Sequence, residues 1–451
     1  MLILLLSLNT FAAVLNLDVV HKKVIEEMPL LLEQEAKIRA AEGAIESQEG
    51  AFDHKLKVKT TNQVEKKYDN QFWEARLERQ IPFAASRLYL GQRQGTGTFA
   101  AYDGKYETSS VGELFAGVDI SLLRDRAMDE ARFGRDRARV LRERERIEWT
   151  QKGLELMLKS SQTYWKWTVA GQKLRVLRDL VKRAEERQGF LEKKVKAGDT
   201  SEIKLIDNRR SLNKRRAELV KGEREYEIAT QEMSLYLNRT PALSEVAEAI
   251  TLSEDVTSSP LAETRDALPA FRLVALERSL LAQERELARS QMLPDLRVAV
   301  EGIRDVGRLP PAIGGQDQLR MGVMLEIPLE NRKAEGKRTE VSGKLSALSY
   351  RQSWLEREWG ARISQNRRAL ITTREQLGLQ ETEFQDTAKM ARAELTRWSQ
   401  GDSDMFFVNV REQDEAEAQI RLLETRALHE MMVVERRALD GQLVQLLPTP
   451  P

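Results

Sequence analysis

The segment Leu325-Glu-Ile-Pro-Leu-Glu-Asn-Arg332 ends a run of alternating apolar and polar residues and leads directly into a long helical pattern. Val118-Asp-Ile-Ser-Leu-Leu-Arg-Asp125 does the same in the first half of the chain. Two matching segments, each at the junction between a strand pattern and a helical pattern, indicate an internal repeat. The fold prediction is built on this repeat.

Around this pair, each half of the chain shows the same succession of patterns. A helical pattern opens at Glu26-Glu-Met-Pro29 and at Asp266-Ala-Leu-Pro269, and alternating segments follow. Two long helical tracts then close each half, and they are separated by Gly198-Asp199 in the first half and by Gly401-Asp402 in the second. Matched landmarks lie 203 to 242 residues apart, which is typical of a duplication with altered loops.

The duplication predicts a domain organisation for the whole chain. We expect a first repeat with a helix, strands at about 51–125 and a helical hairpin, then a linker rich in Thr, Ser and Pro, then a second repeat with strands at about 294–328. The predicted boundaries are 14–240 for the first repeat with its hairpin at 126–240, 241–265 for the linker, 266–440 for the second repeat with its hairpin at 332–440, and 441–451 for the tail.

The alternating segments predict β-strands with one apolar and one polar face. In the second repeat, apolar residues occupy every second position from Leu319 to Ile327 and from Leu296 to Val300. The first repeat offers four such segments, at 54–64, 71–82, 86–94 and 113–123. Such faces suit either a half-buried soluble sheet or a lipid-facing wall with a wet interior, and the pattern alone leaves both open.

The helical tracts follow heptads, which predict left-handed coiled packing rather than a globular amphipathic stripe. In the first hairpin Leu205, Leu212 and Leu219 recur every seven residues. A continuous helix over 126–197 would be roughly 100 Å long at 1.5 Å per residue. We therefore expect two long helical hairpins. Gly198 and Gly401 would turn the chain at their tips, and Asp199, Thr200, Ser201, Asp402 or Ser403 would cap the returning helices.

Composition excludes several classes of protein. The chain has 451 residues with 72 Lys and Arg against 71 Asp and Glu, so it lacks the positive excess of a nucleic-acid-binding protein. It has no cysteine, which excludes disulfides, thiol nucleophiles and a cysteine-based lipid anchor. His21, His54 and His429 lie far apart in sequence and predict surface or lumen positions rather than a metal site. No phosphate-binding glycine motif or catalytic triad pattern is present, so we expect neither an enzyme nor a cofactor.

The amino-terminal residues 1–13 have the composition of a signal peptide's end. An apolar run closes on small residues, with a cleavage point expected near Ala12 or Ala13. The run is short and lacks a basic residue at its start, so an apolar helix start stays open as the alternative.

Taken together, these features resemble the TolC family of outer-membrane efflux proteins over nearly the whole chain. The resemblance is carried by the tandem plan, by Met292-Leu-Pro-Asp-Leu-Arg-Val298 before a strand, by Leu325-Glu-Ile-Pro-Leu329 after one, and by the two Gly-Asp tips. It implies a mixed α+β fold in a homotrimer. Each subunit would give four strands to a shared twelve-stranded membrane β-barrel and two coiled-coil hairpins to a periplasmic tunnel.

The resemblance also implies a function and its partners. The protein would be a passive exit duct of a tripartite efflux or type I secretion system. It would lie in the outer membrane of a Gram-negative bacterium, in contact with lipid, with a periplasmic adaptor protein and with an inner-membrane transporter. The alternative is a coiled-coil adaptor or scaffold protein, which accounts for the heptads but not for two strand clusters.

Two departures from the family pattern stand out. The first repeat has more alternating segments than two strands require, which indicates either long bent strands or an added hairpin. The family's gate acids, six and nine residues after the second tip glycine, correspond here to Phe407 and Val410. We therefore predict a rebuilt periplasmic gate at Asp402, Asp404, Phe406 and Phe407, and adaptor docking at Gly198, Asp199, Thr200, Ser201, Gly401, Asp402 and Ser403.

Overall fold

The computed structural model describes residues 14–64, 68–100, 105–253, 265–308 and 317–450. The predicted signal segment 1–13 and the Ser-Pro-rich part of the predicted linker lie outside the described residues. Seven α-helices and six strands form within the described part. They are α1 (Leu17–Glu27), α2 (Pro29–Glu49), β1 (His54–Val64), β2 (Asp69–Gln80), β3 (Arg87–Gly97), β4 (Gly112–Ser121), α3 (Glu130–Lys196), α4 (Glu202–Leu237), α5 (Pro269–Ser290), β5 (Asp295–Val306), β6 (Asp317–Glu326), α6 (Arg332–Gln400) and α7 (Met405–Leu439).

The helix boundaries follow local sequence signals. Pro29 and Pro269 are the first residues of α2 and α5, where a missing amide hydrogen costs nothing and φ is already helical. Asn238 ends α4 in the left-handed conformation, with φ of 53°. The predicted helix starts at these two prolines are confirmed.

The long helices are continuous. α3 has 67 residues and α6 has 69, so each is about 100 Å long at 1.5 Å per residue. The returning helices α4 and α7 have 36 and 35 residues. The predicted heptad residue Leu212 of α4 is buried. Apolar residues of α3 at steps of three, four or seven are buried as well, among them Leu174, Leu177, Val181, Ala184 and Leu191.

The strands form one sheet whose order is the order of the chain. All neighbours from β1 to β6 pair antiparallel. The four alternating segments of the first repeat are four separate strands, so they are not long bent strands. The expectation of four strands per subunit is therefore wrong for this chain, because β1 and β2 add a further hairpin ahead of β3. Common descent of the two halves stays a prediction.

The sheet has one apolar and one polar face. Because directly opposite residues of an antiparallel pair share a face, the pairing defines continuous rows across the strands. One row runs through Leu56, Leu77, Leu90, Ala116, Gly302 and Leu319. The leucines of this row are all exposed, with Leu56 at 69% and Leu319 at 66%. The apolar face is thus open to the surroundings.

The opposite face carries the charges and a small aromatic cluster. Tyr89, Phe115 and Ile303 bury one another there. The Arg93 guanidinium lies 2.6 Å from Glu113 and 3.2 Å from Glu301. Gly91 makes room for this packing, since a Cβ atom at that position would lie 2.4 Å from the Ala75 carbonyl oxygen and 2.6 Å from the Phe115 ring. The polar face is therefore the closely packed one.

Two histidines correct the sequence prediction. His21 and His429 are buried, at 7% and 5% exposure, rather than at a surface. His21 Nε2 lies 2.8 Å from the Ser161 hydroxyl, and His429 Nδ1 lies 3.0 Å from the Thr373 hydroxyl. Burial lowers the pKa of His21, so the neutral ring is favoured as a packed core residue.

The chain divides into two compact units, and each draws on both halves of the sequence. One is built from the described parts of Met1–Glu35, Glu148–Phe271 and Trp354–Pro451, and it contains both hairpin tips. The other is built from Ala36–Ile147 and Arg272–Ser353, and it contains the sheet. None of the described helices combines the length and the apolar character needed to cross a membrane.

Replacing Gly91 by alanine should disturb the sheet, because the new methyl group meets backbone as well as the Phe115 ring. We expect a loss of about 1–3 kcal/mol, typical of overpacking. The matched control is Gly322→Ala in β6, where nothing lies within 4 Å of the added Cβ. Thermal unfolding in detergent measures both, and equal melting temperatures for the two variants would contradict the packing described.

Candidate functional site: the hairpin tips

The first tip turns through a Schellman motif. The Asp199 amide donates to the Lys194 carbonyl at 2.9 Å, and the Gly198 amide donates to the Val195 carbonyl at 3.0 Å. Gly198 has φ of +82°, a conformation that favours glycine. Asp199 and Ser201 are exposed and Thr200 is half-buried. Ser201 occupies the N-cap position of α4 but makes no side-chain capping bond.

The second tip has the same geometry. The Asp402 amide donates to the Arg397 carbonyl at 2.9 Å, and the Gly401 amide donates to the Trp398 carbonyl at 3.0 Å. Gly401 has φ of +89°. A Cβ at either tip glycine would meet nothing within 4 Å, so conformation rather than space requires glycine. The predicted turns at Gly198 and Gly401 are confirmed.

The cap of α7 falls later than the sequence suggested. Asp404, rather than Asp402 or Ser403, is the N-cap, and its carboxylate accepts from the Phe406 amide at 3.1 Å. Ser403 instead donates its hydroxyl to Glu394. Lys204 on the first hairpin lies 3.1 Å from Asp404, so this carboxylate also links the two tips.

The environment of Asp404 keeps it charged. The Phe406 amide and then the Lys204 ammonium hold the pKa of this carboxyl below its usual range. Because the pKa of Asp404 is lower in the folded state than in the unfolded chain, the interactions of this carboxylate stabilise the fold at a pH above the unfolded-state pKa. That stabilisation is lost as the pH falls through the folded-state pKa. Asp404 is therefore a fixed negative charge at neutral pH.

Phe406 and Phe407 form an exposed ring pair. Their centroids lie 5.5 Å apart with planes 78° from parallel, an edge-to-face arrangement. The exposed fractions are 49% and 54%. Packing of the tip falls instead to Met405 and Val408, which bury themselves against Leu191. Two aromatic rings are therefore left free to meet another surface.

A buried charged cluster, which the sequence analysis missed, lies below the tips. Glu412 of α7 accepts from Arg187 of α3 and, at 3.1 Å, from Arg215 of α4. Arg215 also donates to the Asn409 carbonyl at 3.0 Å, and it is 1% exposed. Burial lowers the pKa of Arg215, against the opposing effect of Glu412. Two buried cations thus share one carboxylate and join three helices.

The sequence of α4 does contain a signal for this cluster, which is a heptad core position without apolar residues. Leu205, Leu212 and Leu219 mark one heptad position, and the companion position three residues later holds Asn208, Arg215 and Gly222. Polar residues at such core positions set register and partner choice in coiled coils. Asn208 fits this role, since its amide donates to Gln188 at 2.8 Å.

The tips offer contact chemistry rather than a reaction centre. Backbone turns, short polar side chains, one fixed carboxylate and an aromatic pair can bind a protein surface or narrow a passage. Within the described residues, no group of three or more His, Asp or Glu side chains is placed to hold a metal ion.

Comparison with known proteins supports the fold. No protein-family model matches the chain, and no curated protein matches it in sequence. Among solved structures, the outer membrane protein VceC of Vibrio cholerae is similar, with 14% identity, a TM-score of 0.68, and coverage of 94% of this chain and 96% of that one. The CmeC outer membrane channel of Campylobacter jejuni has 13% identity, a TM-score of 0.65, and coverage of 94% and 85%.

A third solved structure extends the likeness. The MtrE outer membrane channel of Neisseria gonorrhoeae, in its open state, has 11% identity and a TM-score of 0.66, covering 94% of this chain and 88% of that one. The chain thus has the fold of TolC-type outer-membrane channels over nearly its whole length, and the predicted resemblance is confirmed at the level of fold.

Replacing Glu412 by glutamine should destabilise the helical unit strongly. It leaves the Arg187 and Arg215 charges buried without a counterion, which costs about 3–5 kcal/mol. The control is Glu185→Gln, whose partner Arg216 is half exposed and whose loss should cost less than about 1 kcal/mol. Denaturant or thermal unfolding compares them, and a Glu412→Gln variant as stable as the control would show that the cluster is not structural.

Replacing either tip glycine by valine should strain its turn by about 1–2 kcal/mol, because a β-branched residue disfavours positive φ. Gly401→Asn is the matched control, since asparagine tolerates this conformation. Export in cells and melting temperature are the measurements. If Gly198→Val and Gly401→Val both leave export intact, the tips are not a docking site.

Proposed function

We propose that this protein is the outer-membrane exit channel of an efflux system, and that it transports passively. Three copies would assemble so that their sheets form one barrel in the outer membrane of a Gram-negative bacterium. Their helical hairpins would form a tunnel in the periplasm. The observation that carries the proposal is a sheet whose apolar face is exposed while its polar face is closely packed.

The difference in polarity between the two faces of the sheet supports a position in which the apolar face contacts lipid. A soluble sheet buries its apolar face, whereas here the side chains of Leu56, Leu90 and Val323 are exposed. The Arg93, Glu113 and Glu301 ion pairs occupy the other face. Lipid would cover the first face, and a water-filled lumen suits the second. CmeC and MtrE, whose solved structures have this fold, are outer membrane channels, and that role agrees with this arrangement.

The partners follow from the two tips. A periplasmic adaptor protein would dock on Gly198, Asp199, Thr200, Ser201, Gly401, Asp402 and Ser403, and would connect the channel to an inner-membrane transporter. Exposed backbone and short polar side chains at matching Schellman turns give two equivalent contact points per copy. The alternative of a coiled-coil adaptor or scaffold leaves the six-stranded sheet without a role, so no observation favours it.

Location and assembly can be tested on the native protein. We expect fractionation with the outer membrane, extraction only by detergent, and a trimer on native gels that converts to monomer on heating. Planar bilayers should show discrete channels. A mature chain that stays in the soluble periplasmic fraction as a monomer would contradict the proposal.

Single-channel recording tests the predicted gate at Asp402, Asp404, Phe406 and Phe407. Asp404→Ala should reduce cation preference, since three carboxylates around an axis favour cations. Phe407→Ala should raise conductance, because it removes an exposed aromatic ring from each copy. Asp386→Ala, at an exposed acid within α6, is the control. Unchanged conductance and selectivity in both tip variants would place the gate elsewhere.

A further inference from the structure

The sheet has two open edges in the described part of the chain. β1 pairs only with β2 and β6 only with β5. All ten residues of β6 are exposed, and so are the first seven of β1. An unpaired edge presents a row of free amide and carbonyl groups, which lipid cannot satisfy. If the sheet lies in a membrane, each edge needs a strand from another chain.

We propose that β1 of one copy pairs antiparallel with β6 of the next, so that three copies close a ring of eighteen strands. This inference rests on the proposed trimeric channel and replaces the twelve strands that the resemblance implied. The added β1–β2 hairpin is then part of the barrel wall. Both of its strands fit there, since β1 has 11 residues and β2 has 12, about the length of a membrane-spanning strand.

The two edges match in length and in pattern. Setting their ends level places Lys55 opposite Glu326 of the next copy, Leu56 opposite Leu325, and Val58 opposite Val323. The apolar residues then continue the outward face across the seam, while Lys55 and Glu326 meet on the inner face with opposite charges. A shift by one residue would put every side chain on the wrong face.

The stagger of the sheet agrees with closure at this register. Within one copy, the row that begins at His54 passes through Arg79, Leu88, Val118 and Val300 and ends at Met321. The proposed seam sets Met321 opposite Thr60 of the next copy, an advance of six residues per copy. Three copies advance by eighteen residues over eighteen strands. At about 3.3 Å per residue and about 4.8 Å between strands, this gives a strand tilt of about 35°, within the range of membrane barrels.

The strand number sets the width of the pore. With strands about 4.8 Å apart and tilted about 35°, a ring of eighteen has a backbone diameter of roughly 34 Å, against roughly 22 Å for twelve. Eighteen-stranded barrels leave an aqueous channel. The side chains of Tyr89, Phe115 and Ile303 would lie on the inner face of either ring. The barrel would therefore admit a broader cargo than a twelve-stranded one.

Engineered cysteines test the seam directly, because the native chain has none. In the full-length protein extracted from membranes, Val58→Cys with Val323→Cys should form disulfides between copies on oxidation. Denaturing gels without reductant should then show covalent dimers and trimers. Two control pairs share Val58→Cys. Met324→Cys lies on the opposite face, and Leu319→Cys lies about 13 Å along the strand, so neither should crosslink.

Other cysteine pairs would detect the competing arrangement, a ring of twelve strands. A twelve-stranded ring of β3 to β6 would bring β3 beside β6 of the next copy, so Val323→Cys would crosslink with cysteine at Leu88, Leu90 or Gln92. Crosslinks from β3, or a native trimer with no β1–β6 crosslink, would overturn the inference and leave the channel proposal standing. A crosslink at Leu319 in place of Val323 would overturn the register. A monomer on native gels would contradict the channel proposal itself.

Discussion

The structure depends on a sheet with an exposed apolar face and a closely packed polar face. Period-two alternation places leucine and valine on one face of all six strands, and the hydrogen-bonded register aligns them into rows. Water would penalise that exposed face by about 25 cal/mol for each Å² left open. In the proposed channel, lipid would cover the apolar face and strands of neighbouring copies would cover the open edges.

The long helices depend on packing against one another. Heptad packing stabilises them along their length, and the buried cluster of Arg187, Glu412 and Arg215 aligns α3, α4 and α7 below the tips. Such a cluster contributes little net stability over apolar packing, but it penalises any register that separates the charges. Buried ion pairs several helical turns away from the tips therefore help to position the tips.

Much of this was predictable from local rules. Period two gave the strands, including the four of the first half, and glycine followed by aspartate gave both turns. The cap at Asp404 was missed because three adjacent polar residues compete for that position, and the geometry of the turn decides between them. Arg215 was missed because the heptads were assigned from their leucine positions, and Arg215 lies at the companion core position, which is not apolar. The gate and docking roles of the tips stay predictions, since they depend on neighbouring chains.

Residue-by-residue accessibility along β6 tests the central claim most directly. Single cysteines from Leu319 to Leu325, spin-labelled in lipid nanodiscs, report contact with lipid-soluble oxygen or with a water-soluble relaxation agent. We expect period two, with Leu319, Met321, Val323 and Leu325 in lipid and Arg320, Gly322 and Met324 in water. Uniform access to water along the strand would contradict a lipid-facing sheet and, with it, the proposed outer-membrane channel.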